Sequence, residues 1–295
     1  MNNQDNEKVF QKSQINWYPG HMAKAKRLIS ENIGLIDIVY EVVDARMPVS
    51  SKITDIDEYT KNKPKILIMN KADLCDLEET KKWQKYYEKK GYKVLLTALE
   101  GNVNLKPLLE LTNELLKPLD EKRNLQGLKK RKNRALIIGA PNVGKSTLIN
   151  RLSGKKVTQI GNKPGVTKGL NWIRINDRIE LLDTPGILWP KLEQKNALNL
   201  ATFSAIREEI LPKFEIASYI LETLEKYYRN ILKERYDIEN LDEDIVETME
   251  KIGKKRGCLI KGGEIDYDKV MDLIIGDVKN GYIKGITFDR VDEYE

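Results

Sequence analysis

Gly139-Ala140-Pro141-Asn142-Val143-Gly144-Lys145-Ser146 follows the apolar run Ala135-Leu136-Ile137-Ile138. Two glycines separated by four residues and followed by Lys and Ser form the phosphate-binding P-loop pattern. The spacing has a physical cause. A buried strand ends, the glycines let the backbone turn its N–H groups toward phosphate oxygens, and a helix begins near Lys145 with its positive end facing the same anion. Lys145 is expected to reach the β- and γ-phosphates, and the Ser146 hydroxyl to bind Mg²⁺. Pro141, Asn142, Val143, Gly144 and Thr147 complete the expected phosphate-binding set.

A second element precedes the loop. Lys65 to Met69 reads as a short buried strand that delivers Asn70-Lys71-Ala72-Asp73, the N-K-x-D pattern of GTP-binding proteins. The Asp73 carboxylate can accept from guanine N1–H and the N2 amine, a donor pair that adenine lacks. The Asn70 amide fixes loop and base, and the Lys71 stem covers a ring face. Four letters alone also describe an ordinary strand–turn; beside a P-loop they gain weight. After the next strand, Thr97-Ala98 places a small residue where a backbone N–H could meet guanine O6.

Downstream, Gly161-Asn162-Lys163-Pro164-Gly165-Val166-Thr167 offers Thr167 as a Mg²⁺ ligand. Asp183-Thr184-Pro185-Gly186 then looks like the metal-side Asp and the γ-phosphate-sensing Gly of a GTPase. In most GTPases N-K-x-D comes last; here it comes first, so the motifs are circularly permuted. Loops of a doubly wound sheet meet at its C-terminal edge whatever the chain order. Permutation needs a linker between the old ends, and residues 122–134 are where it must lie. That stretch holds seven basic residues and no acidic one: Lys122, Arg123, Lys129, Lys130, Arg131, Lys132 and Arg134. A solvated linker and a nucleic-acid contact are both open readings.

The remaining periodicity gives helices at 23–33, 51–62, 78–90 and 105–116, a strand at 35–43, and a hairpin of 172–175 with 178–182. Residues 1–14 read as a flexible tail and 15–193 as an α/β GTPase domain with a mostly parallel sheet and helices on both faces. Residues 194–295 read as a small all-α domain whose stripes Ile216, Ile220, Leu224 and Val270, Ile274, Val278 face a core. Charge is uneven. From Arg207 onward there are 15 Lys and Arg against 22 Asp and Glu, which leaves 36 against 23 before it. A local basic cluster, Lys251, Lys254, Lys255, Arg256 and Lys261, interrupts the acidic end. No apolar run is long enough for a bilayer, and Cys75 and Cys258 have no neighbouring His or Cys. A cytoplasmic protein without zinc or disulfides is the simple expectation.

Trp17-Tyr18-Pro19-Gly20-His21-Met22-Ala23-Lys24-Ala25, the permuted order, Asp183-Thr184-Pro185-Gly186-Ile187-Leu188-Trp189-Pro190 and Lys255-Arg256-Gly257-Cys258-Leu259 together resemble the circularly permuted GTPases of the ribosome biogenesis GTPase A (YlqF) type. The resemblance covers nearly the whole chain. It implies a bacterial GTPase that binds GTP and GDP with Mg²⁺ and joins the large (50S) ribosomal subunit late in assembly. Residues 194–295 would engage ribosomal RNA, and the protein would be monomeric off the ribosome. It also implies that His21 serves hydrolysis, since Ile187 stands where many GTPases place a water-orienting Gln. A structural His21 remains open from the residues alone. Asn142 occupies the position where related GTPases hold K⁺ against the phosphates, and a plain loop Asn is its alternative. Two other classes compete: a nucleotide-gated RNA-binding module with incidental hydrolysis, and a P-loop ATPase, against which Asn70 and Asp73 argue.

Overall fold

The computed structural model describes residues 15–16, 20–53, 57–101, 103–129, 131–158, 171–188, 191–207 and 210–294, with backbone alone at 15, 16, 21 and 191. Six strands make the central sheet: β2 (Ile38–Asp44), β3 (Lys65–Asn70), β4 (Lys93–Leu96), β5 (Asn133–Ile138), β6 (Asn171–Arg174) and β7 (Ile179–Asp183). Their order is β4-β3-β2-β5-β7-β6, and every pair is parallel except the β6–β7 hairpin. All seven residues of β2 are buried, as expected of a parallel strand covered on both faces. Alternate β3 residues serve different clusters. Ile66 and Ile68 pack with Leu108 and Leu116, whereas Leu67 and Met69 pack with Trp83 and Tyr87. The chain runs outward one way through β2, β3 and β4, and the other way from β5, so strand order reverses at the β2–β5 neighbours. In doubly wound sheets ligands bind at that switch point.

Around the sheet lie α1 (Gly20–Asn32), α2 (Asp57–Thr60), α3 (Leu77–Lys89), α4 (Lys106–Leu125) and α5 (Lys145–Ser153). Three of these differ from the periodicity. Helix α1 begins at Gly20, three residues early, which places the His21 backbone in its first turn. Within 51–62 only α2 is helical among the described residues. Ahead of it the Val49 and Ser50 amides donate to Asp289 Oδ2, both at 2.8 Å, so this backbone is satisfied from outside. Helix α4 runs on to Leu125 through Pro118 and carries Arg123 to Asp37.

The linker expected at 122–134 therefore begins in the last turn of α4 and ends in β5, and much of its charge is spent internally. Asp37, 7% exposed, accepts from Arg123 at 2.6 Å, from Arg131 at 2.8 and 3.0 Å, and from the Arg134 backbone N–H at 2.8 Å. The Arg134 guanidinium turns to Glu180 at 2.6 Å. Lys122 and Lys129 remain exposed.

Beyond the sheet, β1 (Ile15–Asn16) pairs antiparallel with β8 (Lys191–Leu192). Helices α6 (Gln194–Thr202), α7 (Lys213–Tyr227), α8 (Arg229–Tyr236), α9 (Ile245–Arg256) and α10 (Tyr267–Lys279) follow. Both apolar stripes are buried. After α10 the chain returns to the sheet. Gly285 N–H donates to the Leu74 carbonyl at 2.9 Å and Phe288 N–H to the Arg46 carbonyl at 2.7 Å, while the Trp83 indole donates to the Asp289 carbonyl at 2.9 Å.

The Asp37 junction closes the permuted chain and can be tested by itself. Burial works against its charge, but the Arg131, Arg134 and Arg123 contacts outweigh that and hold its carboxyl below the ordinary value of 3.8. A depressed folded-state pKa stabilises above the unfolded value and is lost as pH falls below it. Asp37→Ala is expected to lower urea stability at pH 7 by about 2 kcal/mol, with the deficit shrinking under acid. Equal stability of parent and variant at pH 7 would remove the junction from the fold's support.

Candidate functional site

Asn70 ends β3, and its side chain reaches both neighbouring loops. Nδ2 donates to the Val143 carbonyl in the glycine-rich loop at 2.8 Å, and Oδ1 accepts from the Leu99 backbone N–H at 3.1 Å. The backbone adds two stitches: Thr97 N–H to the Met69 carbonyl at 2.9 Å, and Ala72 N–H to the Thr97 carbonyl at 3.1 Å. One amide thus joins the three segments 70–73, 97–99 and 139–146. The approach is close enough to require glycine at 144. Its φ is 105°, and a Cβ there would lie 2.2 Å from Asn70 Nδ2.

At the glycine-rich loop, Lys145 opens α5 and is buried, its Nζ held by the Gly139 carbonyl at 2.9 Å and the Ala140 carbonyl at 2.7 Å. Burial lowers its pKa and raises that of Asp183, each opposed by the other's charge. Asp183 ends β7, and its Oδ1 is buried with no hydrogen-bond partner among the described residues. Ser146 and Thr147 are half-buried in the first turn of α5. Gly186 lies against the loop, where a Cβ would meet Pro141 Cα at 2.8 Å and Pro141 N at 2.9 Å. The Ile187 N–H donates to the Gly139 carbonyl at 3.3 Å, and its side chain is buried. Asn142, with φ 60°, donates from Nδ2 to the Ser204 carbonyl at 2.5 Å, a contact with the helical region.

At the N-K-x-D loop Asp73 is exposed, and Thr97 and Ala98 are half-buried. Lys71 takes φ 65°, and its Nζ lies 2.9 Å from Asp44 Oδ2. Asp44 is fully buried at the end of β2 and also accepts from Arg46 Nε at 3.0 Å and Nη2 at 2.8 Å. Burial opposes the Asp44 charge, but Arg46 and Lys71 more than offset it and hold the carboxyl well below the usual carboxylate range. The Arg46 guanidinium also lies 4.2 Å from the Phe203 ring centroid. The sequence gives a strand at 35–43 and assigns no role to Asp44-Ala45-Arg46, which follow it. Their place at the C-terminal edge of a central strand was the available signal. Ser204 carried no comparable signal.

Thr167, Trp189, Pro190 and the His21 side chain lie outside the described residues. The structure brings together Asn70, Lys71, Asp73, Thr97, Ala98, residues 141–147, Asp183 and Gly186 along one edge of the sheet. Fixed N–H groups around a turn at a helix N-terminus, with a buried Lys and an unpartnered carboxylate oxygen, can hold a polyphosphate and a hard cation. Asn70→Ala removes the joint. It is expected to weaken binding of a fluorescent GDP by at least about tenfold and to cost about 1–3 kcal/mol of stability in urea. Parental affinity in a folded Asn70→Ala protein would show the loops to be held otherwise.

The RsgA GTPase family model matches residues 21–193, and the model described as a 50S ribosome-binding GTPase matches residues 134–260. The first match begins in α1 and ends past β7, so it takes in the permuted order. Ribosome biogenesis GTPase A of Bacillus licheniformis is 46% identical over 280 residues, covering 95% of this chain and 99% of that protein. Its namesake in Thermotoga maritima is 32% identical, covering 95% of each. Among solved structures, that titled as GDP-bound TM YlqF aligns with a TM-score of 0.62 at 28% identity, over 90% of this chain and all of that one. The GNP-bound YlqF from T. maritima aligns with a TM-score of 0.61 at 29% identity, over 90% and 98%. With the phosphate loop, the N-K-x-D loop and the D-x-x-G loop joined as described, and with identity sustained over nearly the full length of both chains, this chain belongs to the ribosome biogenesis GTPase A family of GTP-hydrolysing enzymes.

Proposed function

We propose that this GTPase binds the large ribosomal subunit and acts late in its maturation, with hydrolysis stimulated by the subunit and coupled to release. The contact from Asn142 in the phosphate loop to Ser204 carries this reading, because it joins the nucleotide site directly to the helical region 194–295. In that region Lys254, Lys255 and Arg256 end α9 as an exposed rim before the left-handed Gly257, which suits a phosphate backbone. Off the ribosome the protein would be a cytoplasmic monomer; among the described residues no helix is long and apolar enough to cross a membrane.

In this reading Asp73 accepts from guanine N1–H and N2, the Lys71 stem covers a ring face, and the Ala98 N–H meets O6. The P-loop N–H groups and the Lys145 ammonium take the β- and γ-phosphates. Asp183 Oδ1, which has no hydrogen-bond partner among the described residues, and the hydroxyl of Ser146 fit a divalent ion, with Thr167 as a further ligand. Mg²⁺ bound there neutralises charge on the phosphates. Gly186 reports the γ-phosphate. K⁺ would be held by Asn142 Oδ1, the branch of the amide opposite the Nδ2 that meets Ser204. The Ile187 side chain is buried and has no polar group to hold a water, so orienting the attacking water falls to His21, whose neutral imidazole can accept a proton.

Co-sedimentation with separated ribosomal subunits tests the reading. The protein should pellet with the large subunit under a non-hydrolysable GTP analogue and leave it under GDP; equal pelleting in both states, or with the small subunit, would overturn it. His21→Ala should pellet normally yet turn over about a hundredfold more slowly on the subunit. A parental rate there would make His21 structural.

The cation is tested in solution. Replacing K⁺ by Na⁺ should slow turnover, and Asn142→Ala should abolish the difference. Equal parental rates in the two salts would exclude K⁺.

A further inference from the structure

The loop that carries Asp73 is gripped from two sides. Asn70 holds its start, as described. Its far side is held by the segment that follows α10. The Leu74 carbonyl accepts from the Gly285 N–H at 2.9 Å and the Ile286 N–H at 3.3 Å, and the Asp76 N–H donates to Thr287 Oγ1 at 3.1 Å. Asp76 itself caps α3 through Oδ1, accepting from the Glu78 and Glu79 N–H groups at 3.0 and 3.2 Å.

Its other oxygen meets Tyr228, at the junction of α7 and α8. The Tyr228 hydroxyl lies 3.1 Å from Asp76 Oδ2 and 3.0 Å from the Thr287 carbonyl, and it accepts from the Thr287 N–H at 2.9 Å and Arg290 at 3.1 Å. One hydroxyl therefore locks the returning segment and the α3 cap together, three residues beyond Asp73. A second route runs alongside, because the Phe288 N–H donates to the carbonyl of Arg46, whose guanidinium shares Asp44 with Lys71.

We propose that Tyr228 is a positioning residue for guanine recognition. Through Asp76 and Thr287, the helical region sets the loop that presents Asp73 to the base. Asp73 must place two acceptor oxygens against two donors at once, and such constellations tolerate displacements of only about half an ångström. Loosening the far side of the loop should release the base without touching the phosphate side. Movement of α7 and α8 would then change nucleotide exchange directly. The inference rests on the assignment of Asp73 to the base.

The test uses the full chain with Tyr228→Phe, which keeps the ring and removes the hydroxyl, and Thr287→Val, which removes the acceptor for Asp76 N–H. Stopped-flow release of fluorescent GDP should accelerate about five- to tenfold in each, the range expected from losing one or two hydrogen bonds. The KM for GTP should rise with it, while kcat at saturation stays within about twofold. A merely structural Tyr228 would lower the melting temperature without this split. In an Asp73→Asn background Tyr228→Phe should add nothing to guanine release, since the contact it positions is gone. Unchanged GDP release in either folded variant, or an equal acceleration in the Asp73→Asn background, overturns the proposal. Asp73→Asn alone should shift preference toward xanthosine nucleotides. If it does not, the base assignment fails, and that outcome is separate from failure of the Tyr228 arm.

Discussion

The Asn70 amide is the constraint on which the nucleotide site depends. Its two ends satisfy one backbone carbonyl and one backbone N–H from loops separated by tens of residues in sequence. Both bonds are buried, so losing the side chain would leave a donor and an acceptor without water to replace it. The geometry leaves no slack. At Gly144 a Cβ would lie 2.2 Å from the amide at a backbone φ of 105°, and at Gly186 it would lie 2.8 Å from the loop's Pro141 backbone. Motif order along the chain becomes irrelevant once these contacts form, and that is the physical basis on which a permuted sequence keeps an ordinary site.

Permutation nevertheless changes what the site is attached to. The segment ahead of α1 pairs with the segment past the D-x-x-G loop, as β1 with β8. The chain then passes straight into α6, whose neighbourhood touches the phosphate loop at Ser204 and the Asp44–Arg46 pair at Phe203. Asp289 closes this region. It is fully buried and accepts from Val49 and Ser50 of the sheet edge and from Asn199 of α6. Its burial raises its pKa despite the donors around it. Buried polar joints of this kind fix one arrangement over others of similar compactness.

Much of this was legible in the sequence because the deciding signals were local. The strand before Gly139, the glycine spacing and the N-K-x-D run each encode geometry within a few residues, and the permuted order followed from their sequence positions. The alternation that put Ile66 and Ile68 on one face of β3 and Leu67 and Met69 on the other is likewise local. What was not legible is long-range and polar. Nothing near Ser50 announces that its partner is Asp289, and nothing near Asp76 announces Tyr228. The basic run at 122–134 shows the same limit from the other side. Its charge left a solvated linker and a nucleic-acid contact both open, yet Arg123 and Arg131 are taken up by a single carboxylate far upstream. The extent of α4 was missed for that reason too, since the helix continues in order to bring Arg123 to Asp37.

The Asp289 contact also orders events in time. Ser50 and Asp289 are 239 positions apart, so the loop after β2 is made long before the carboxylate that will cap its amides. At synthesis rates of about 5–20 residues per second, that interval is roughly ten seconds to most of a minute. Through it the sheet edge beside the base loop must wait with those N–H groups facing water. The entropy of closing so long a loop also makes this step late in any refolding of the intact chain. The sheet and phosphate loop can form from nearer contacts, whereas the bracing of the base loop comes last. A growing chain of this protein would therefore close its glycine-rich loop before the segment after α10 braces residues 74–76.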